Sequence, residues 1–306
     1  MHQSPFVSAI GTAVPPHRIS QKLHYSILES AEGVGRKEKL QLRKVYGSCG
    51  IEARHSVLDD FGKTDQTDNV LFFPSNHHAA MPVSGRMDLY ERYALDLSER
   101  AVMECMEKLP SLRPSHITHL ITFSCTGMSA PGLDIQLVDR LGLRRSVERT
   151  CINFMGCYAG INAIKAAYHI CRSEPEATVL LAGVELCTLH YQKNEKEDQI
   201  IANALFGDGA SACIVSLKRI PSVNDSAALS LKSFYAEFEP GEREEMAWRI
   251  GDHGFDLRLS SYVPGLLKKS IPAFNEKLFS SNAFMFVTSC GIRYCDCSCA
   301  RCRLSW

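Results

Sequence analysis

The 306 residues, 45% of them hydrophobic, suffice to bury one large domain or two halves. Thirty-four Lys and Arg balance 34 Asp and Glu, which argues against nucleic acid or an anionic membrane as the main partner. No basic segment followed by a long apolar run opens the chain. No stretch reaches the ~18 apolar residues of a spanning helix either, so the expectation is a cytoplasmic protein with no signal peptide and no membrane insertion.

In chain order, Ser8 to Val14 is a Gly-punctuated strand and its exit, and Lys37 to Lys44 is helical. Asp88 to Leu109 is a long helix, because Leu89, Tyr93, Leu97, Ala101 and Met106 recur near a 3.6 period with charges between them; Pro110 and Pro114 follow its end. His119 to Phe123 is a buried strand, Asp134 to Leu141 a helix, and Cys151 to Phe154 a short strand running into Gly156-Cys157 and a helix to about Cys171. Thr178 to Gly183 and Ala212 to Leu217 are further apolar strands around a polar loop, Tyr191 to Asp198. After a polar linker, Pro221 to Ala227, Leu229 to Phe238 alternates like a strand, Pro240 to Glu245 is an acidic turn, Val263 to Phe279 an amphipathic helix and Ala283 to Val287 a strand. Strands alternating with helices predict an α/β layered fold with buried sheets. A division near residue 220 separates a half spanning 1–220 from a partial second half, 221–287, and a Cys-rich tail, 288–306.

The segment RTCINFMGCYAGINAIKAAYHI, from Arg149 to Ile170, carries the chemistry. Gly156 permits a tight strand-to-helix turn, Gly160 allows close packing behind it, and Ile161, Ile164, Tyr168 and Cys171 form one helical stripe. Cys157 then stands at a helix N-terminus. There, unpaired N–H groups and the macrodipole favour thiolate, and adjacent N–H groups can bind the oxyanion of a tetrahedral intermediate. The competing reading makes Cys157 one more buried thiol.

FMGCYAG resembles the active-site segment of type III polyketide synthases, the chalcone- and stilbene-synthase-like enzymes. ALFGDGAS (Ala204 to Ser211), CTGMSAPGLDIQLVDRLGL (Cys125 to Leu143) and GTAVPPHRISQ near the start resemble the same family, and WRIGDHGFDLRLSSYVP (Trp248 to Pro264) resembles its bacterial branch. The resemblance covers about residues 5–285. It implies a thiolase-like fold layered αβαβα with the second half incomplete, a homodimer, and acyl-CoA and malonyl-CoA as substrates with no metal or organic cofactor. It also implies a reaction in which Cys157 takes an acyl group from a starter CoA thioester and an enolate from malonyl-CoA attacks it.

Further residues carry over from the resemblance. Phe206 matches an aromatic gate between the CoA tunnel and the active site, against the alternative of a core Phe. Lys44 aligns with a basic residue at the tunnel mouth, where a cation binds phosphate, against the alternative of a solvated helix face. Leu257 stands where many plant members have a second gating Phe, and Ala130 where many have a Met reaching the partner subunit; both substitutions favour a starter other than a flavonoid type, such as a fatty acyl chain. Gly207, Asp208 and Gly209 read as a tight turn with a side-chain cap.

The family's catalytic His and Asn are expected after the strand Ala283 to Val287. Thr288-Ser289-Cys290-Gly291 follows instead, and no His occurs after His253. Thr-Ser-Cys-Gly coded ACA-TCC-TGC-GGG reads His-Pro-Ala-Gly one base later, so the expectation is a C-terminally truncated chain with a frameshifted ending. Eight of the 13 cysteines are scattered before residue 290 and five fall between Cys290 and Cys302. Cys295, Cys297, Cys299 and Cys302 could bind Zn²⁺ or Cu(I), but their spacing is too tight for an ordinary structural zinc site. Two rival functions remain: a ketoacyl-ACP synthase III-like enzyme, and a catalytically inactive thiolase-fold protein that dimerises or binds acyl-CoA.

Overall fold

The apolar runs assemble into one mixed sheet covered on both faces by helices. A computed structural model of the chain describes residues 3–30, 34–63, 69–71, 81–192, 197–223, 228–237 and 244–280. The elements are β1 (Phe6–Ala13), β2 (His17–Ser20), α1 (Gln21–Ser30), α2 (Arg36–Ser48), β3 (Ala53–Ser56), α3 (Val83–Glu107), β4 (His119–Ser124), α4 (Leu133–Arg140), β5 (Glu148–Asn153) and α5 (Ala159–Ser173). They continue with β6 (Thr178–Leu186), α6 (Glu197–Leu205), β7 (Asp208–Ser216), β8 (Leu229–Ser230), β9 (Met246–Gly251), β10 (Gly254–Leu259) and α7 (Val263–Ser280). Among the described residues, no helix is long and apolar enough to cross a membrane.

The strand order in the main sheet is β5-β4-β6-β7-β1-β8. β4 pairs in parallel with β5 and β6, while β6–β7, β7–β1 and β1–β8 are antiparallel. The central strands are apolar on both faces because both faces are covered. Leu120, Leu180, Ala182, Val184 and Ile214 pack in one cluster with Leu97, Ala101, Val102 and Cys105 of α3. Their neighbours in sequence, Ile121, Val179, Leu181 and Val215, pack in a second cluster with Ala163, Ala167 and Cys171 of α5. The period of two along each strand thus divides its side chains between two helical layers.

Two glycines make this packing possible. A Cβ at Gly11 on β1 would lie 2.1 Å from the Ala101 carbonyl of α3, and one at Gly183 on β6 would lie 2.1 Å from the ring of Phe123. A third cluster, Ile27, Leu42, Tyr46, Phe61, Ile200 and Ala204, joins α1, α2 and α6.

Several boundaries differ from expectation for identifiable reasons. α3 starts at Val83, not Asp88, after an extended Pro82 at its N-cap. Its extra turn holds Arg86, a buried cation that donates to the carbonyls of Leu189 and Tyr191. β5 starts at Glu148, not Cys151; it is an edge strand with mostly exposed residues, so its first half lacks the apolar signature of a buried strand. β7 starts at Asp208, so Asp208 and Gly209 are strand residues and not a turn. α6 occupies a stretch that begins inside the expected polar loop. Within 229–237 only Leu229 and Ser230 pair, with Val7 and Phe6, because alternation without a partner strand makes no ladder.

Of the expected second half, the described residues show the β9–β10 hairpin and α7. The expected strand Ala283 to Val287, the motif position Thr288 to Gly291 and the Cys-rich tail lie outside the described residues. So do most of the linker near 221–227 and of the acidic turn near 240–245.

Candidate active site

The parallel strands β4 and β5 end side by side at Ser124 and Asn153, and the chain beyond both ends forms the candidate site. After Asn153, Phe154 takes φ 55, a left-handed conformation uncommon for a non-glycine residue, and Gly156 takes φ 91. Phe154 is held there by its N–H, which donates to the Ser124 carbonyl at 2.9 Å. Backbone strain of this kind persists only where surrounding contacts impose it, and it concentrates at functional corners.

Cys157 follows this corner and is exposed; it is not a buried thiol. α5 begins at Ala159 with Tyr158 as its N-cap, so Cys157 stands just before the N-cap and two residues ahead of the first helical residue, still near the positive end of its dipole. Two neighbouring N–H groups are already used: Gly156 donates to Cys125 Sγ at 2.9 Å and Ala159 donates to the Gly156 carbonyl at 3.0 Å. Oxyanion binding by adjacent N–H groups therefore cannot draw on these two as they stand.

Beneath the corner lies a polar network that sequence reasoning missed. The Glu185 carboxylate accepts from Cys125 N–H at 2.9 and 3.1 Å and from the Thr126 hydroxyl at 2.7 Å. The Thr126 hydroxyl in turn accepts from Leu186 N–H at 2.8 Å. Burial pushes the Glu185 carboxyl up to about 7, against the opposing pull of these hydrogen bonds.

His190 Nε2 lies 2.7 Å from the Thr126 carbonyl, and its Nδ1 lies 3.0 Å from the Phe255 N–H. A backbone N–H can only donate, so Nδ1 is the acceptor and Nε2 carries the proton. This is a neutral imidazole, in line with burial holding its pKa down to about 4. Phe255 stacks on His190 at 4.0 Å and meets Phe154 edge-on at 5.4 Å, and Trp248 Nε1–H donates to the Cys125 carbonyl at 2.7 Å. The β9–β10 hairpin is thereby fastened to the floor of the corner.

The other expected site residues sit as follows. Leu257 lies on β10 two residues beyond Phe255, on the same face of that strand, and its carbonyl accepts from Gln199 of α6 at 3.0 Å. Phe206 is half-buried just after α6. Packing of α6 on β10 therefore places Phe206 and Leu257 on joined elements. Lys44 lies on the exposed face of α2, whose opposite face, Leu42 and Tyr46, packs in the α1–α2–α6 cluster. No contact among the described residues ties Lys44 to the corner. Ala130 lies in the segment between β4 and α4.

Two anchors hold α6. The buried Arg54 guanidinium donates to the carbonyls of Asn203, Ala204 (2.7 Å) and Phe206 (3.4 Å) and to the Gln21 side chain, satisfying the C-terminal carbonyls of α6. The Asp208 carboxylate accepts from Val57 N–H (2.9 Å), Thr188 N–H (2.8 Å) and the Thr188 hydroxyl (2.6 Å). Asp208 is structural, as expected, but as a long-range tie and not a local cap.

The family model for chalcone and stilbene synthases, N-terminal domain, matches residues 3–218. Probable polyketide synthase 1 of Dictyostelium discoideum is 23% identical over 295 residues, 96% of this chain and 9% of its own length. The 1,3,6,8-tetrahydroxynaphthalene synthase of Streptomyces peucetius subsp. caesius is 26% identical over 263 residues, 86% of this chain and 65% of its own length. The chain thus spans less than two thirds of either relative. Among solved structures, the C-terminal type III polyketide synthase domain of Steely1, a type I/III hybrid from Dictyostelium, superposes with a TM-score of 0.80 at 23% identity, covering 92% of this chain and 76% of that one. The layered sheet and helices are those of the thiolase fold of these enzymes.

Proposed function

We propose, on the premise that the chain belongs to the chalcone and stilbene synthase family, that it is an acyltransferase of the type III polyketide synthase kind with Cys157 as its nucleophile. The observation that carries this reading is the corner itself: an exposed cysteine set by two closely spaced positive-φ positions, Phe154 and Gly156, at the end of the parallel strand pair β4–β5. In the proposed cycle the Cys157 thiolate attacks the carbonyl of a starter acyl-CoA. The carbon–sulfur bond to CoA breaks, and CoA leaves as a thiolate that takes up a proton. Malonyl-CoA then loses CO₂, the released electron pair forms an enolate, and this attacks the acyl carbonyl. The bond to Cys157 breaks and a β-ketoacyl-CoA forms. The reading calls for no metal or organic cofactor in this chemistry.

Phe206, just after α6, and Leu257, on β10 to which α6 is tied, would line the acyl passage, and Lys44 would meet CoA phosphate at its mouth. A homodimer is part of the proposal. The exposed edge strand β5 and the exposed apolar side chains Met128, Ile135, Met155 and Tyr158 around the corner support it. So are a cytoplasmic setting and the division at residue 220, with β8 returning to the edge of the first sheet at β1.

The test is acyl loading. The full chain is incubated with medium-chain acyl-CoA and with acetyl-CoA, and the adduct is read by intact mass and peptide mapping. A thioester on Cys157, absent from Cys157→Ser, is expected. Loading from acyl carrier protein but not from CoA would favour the ketoacyl-ACP synthase III-like alternative, and tight acyl-CoA binding without an adduct the inactive one.

A further inference from the structure

At the opposite end of the sheet from Cys157, three potential ligands converge. His119 is the first residue of β4, Glu148 the first of β5 and its register partner, and Glu174 the C-cap of α5. One ligand atom from each lies within 4.8 Å of the others. The six-residue strand β5 separates this cluster from the corner by roughly 17 Å, at ~3.3 Å per residue. The cluster is independent of the proposed active site.

The geometry points to a site for a divalent transition-metal ion, such as zinc, held by His119 Nε2 and one oxygen each of Glu148 and Glu174. Three observations carry this. First, the His119 side chain is only 7% exposed, yet its Nε2 turns outward to face both carboxylates, whose side chains are 72% and 56% exposed. Second, the separations of 3.5 Å to Glu148 and 3.8 Å to Glu174 are long for hydrogen bonds. They lie close to the edge of a tetrahedron around an ion with ~2.0–2.1 Å bonds, which is about 3.3–3.4 Å. Third, the ring is oriented from behind: its Nδ1 lies 2.8 Å from the Thr118 hydroxyl, which also contacts the Thr178 carbonyl at 3.1 Å and accepts from Thr178 N–H at 2.9 Å.

With Nδ1–H donating to Thr118 and the Thr118 proton directed to Thr178, every donor has an acceptor and the Nε2 lone pair is left for a cation. This is the outer-sphere arrangement that fixes the tautomer of metal-bound histidines. Charge agrees, since among the described residues neither carboxylate has an ion pair with Lys or Arg. Two carboxylates would balance the charge of a divalent ion, with the His119 nitrogen and water completing its shell. An imidazole in the set favours zinc-like ions over calcium or magnesium. Bound there, the ion would tie the starts of β4 and β5 to the end of α5.

The experiment uses the full chain and Co²⁺ as a spectroscopic stand-in, by equilibrium dialysis with visible absorption. One equivalent bound with a nitrogen–oxygen spectrum is expected, displaced by Zn²⁺. Binding should weaken on the order of tenfold or more in Glu148→Gln/Glu174→Gln and in His119→Gln. Thiolate sites elsewhere in the chain would show sulfur-to-cobalt charge-transfer bands, and these should be unchanged by the variants. Both glutamates are exposed, so the double Gln variant keeps the fold and serves if His119→Gln does not. Nitrogen–oxygen binding unaltered in the double variant, or none by the wild type at millimolar Co²⁺, would overturn the assignment.

Discussion

Replacing Glu185 with Gln separates the electrostatic role of this carboxylate from its hydrogen bonds. Its carboxyl, buried beneath the corner while the residue keeps some exposure, has its pKa raised from 4.5 to about 7 by burial. The sign follows from linkage. Between these two values the unfolded chain has released a proton that the folded chain still holds, so stability falls as pH rises through this window and stays lower above it. A rise from 4.5 to about 7 corresponds to up to ~3 kcal/mol, an upper bound because residual exposure screens the charge.

Gln imitates the protonated acid. Its carbonyl can accept from Cys125 N–H, and its amide can donate to the Thr126 hydroxyl if that hydroxyl turns. Other buried groups titrate in the same range with opposing effects. His190, held down to about 4, adds stability that is lost as pH falls from 6.5, whereas Asp208, raised to about 6, acts like Glu185. The informative quantity is therefore the difference between Glu185→Gln and wild type, in which those terms cancel. Urea unfolding at pH 5 and pH 8 should show the variant gaining on the wild type by ~1–3 kcal/mol between the two pH values. Equal differences at both pH values would refute the account of a strained buried carboxylate.

Brief iodoacetamide labelling near neutral pH, followed by peptide mapping, should modify Cys157 well before Cys125, whose thiol burial pushes up to about 11, or Cys105, Cys171 and Cys213, pushed up to about 12. Arg54→Ala takes the guanidinium donor from the Asn203 carbonyl and from Gln21 Oε1, while the Ala204 carbonyl keeps Gln21 Nε2, and should cost on the order of 3 kcal/mol by denaturant melt, with Lys recovering only part. Gly11→Ala places a methyl into the α3 backbone and Gly183→Ala places one into the Phe123 ring. The first should be the more damaging, by several kcal/mol or failure to fold, because a ring can move and a helix backbone cannot.

The strand-to-helix corner was legible because its signal is local: an apolar strand, Gly156, Cys157 and a helical stripe all fall within one short window. The buried strands β4, β6 and β7 were legible for the same reason, since continuous apolar runs report burial directly. What supports the corner was not legible. Glu185 meets Cys125 across 60 residues, and Trp248 meets the same residue across 123. A single Glu in an apolar run reads only as an exception to it. α6 escaped notice because nine residues with charges at its start give too short a period. The left-handed Phe154 carries no compositional mark at all, because its conformation is imposed by Ser124 and Phe255 and not by its own preference.

The corner and the hairpin explain each other. A residue with positive φ reverts to an ordinary conformation unless something over-determines it. Here the constraints come from both sides. The Ser124 carbonyl and Cys125 Sγ hold the backbone at Phe154 and Gly156 from the β4 side. The Phe255 ring closes on Phe154 from the hairpin side while Trp248 ties to the Cys125 carbonyl. Glu185 fixes Cys125 itself, so one buried carboxylate, two hydrogen bonds removed from Gly156 through Cys125, sets the position from which Cys157 projects. The hairpin lies beyond the 3–218 stretch that the family model matches, yet it meets the corner within that stretch. The geometry of Cys157 is thus set jointly by the first half of the chain and by β9–β10, and substitutions at Trp248 or Phe255 act on Cys157 through Cys125 and Phe154 without touching it.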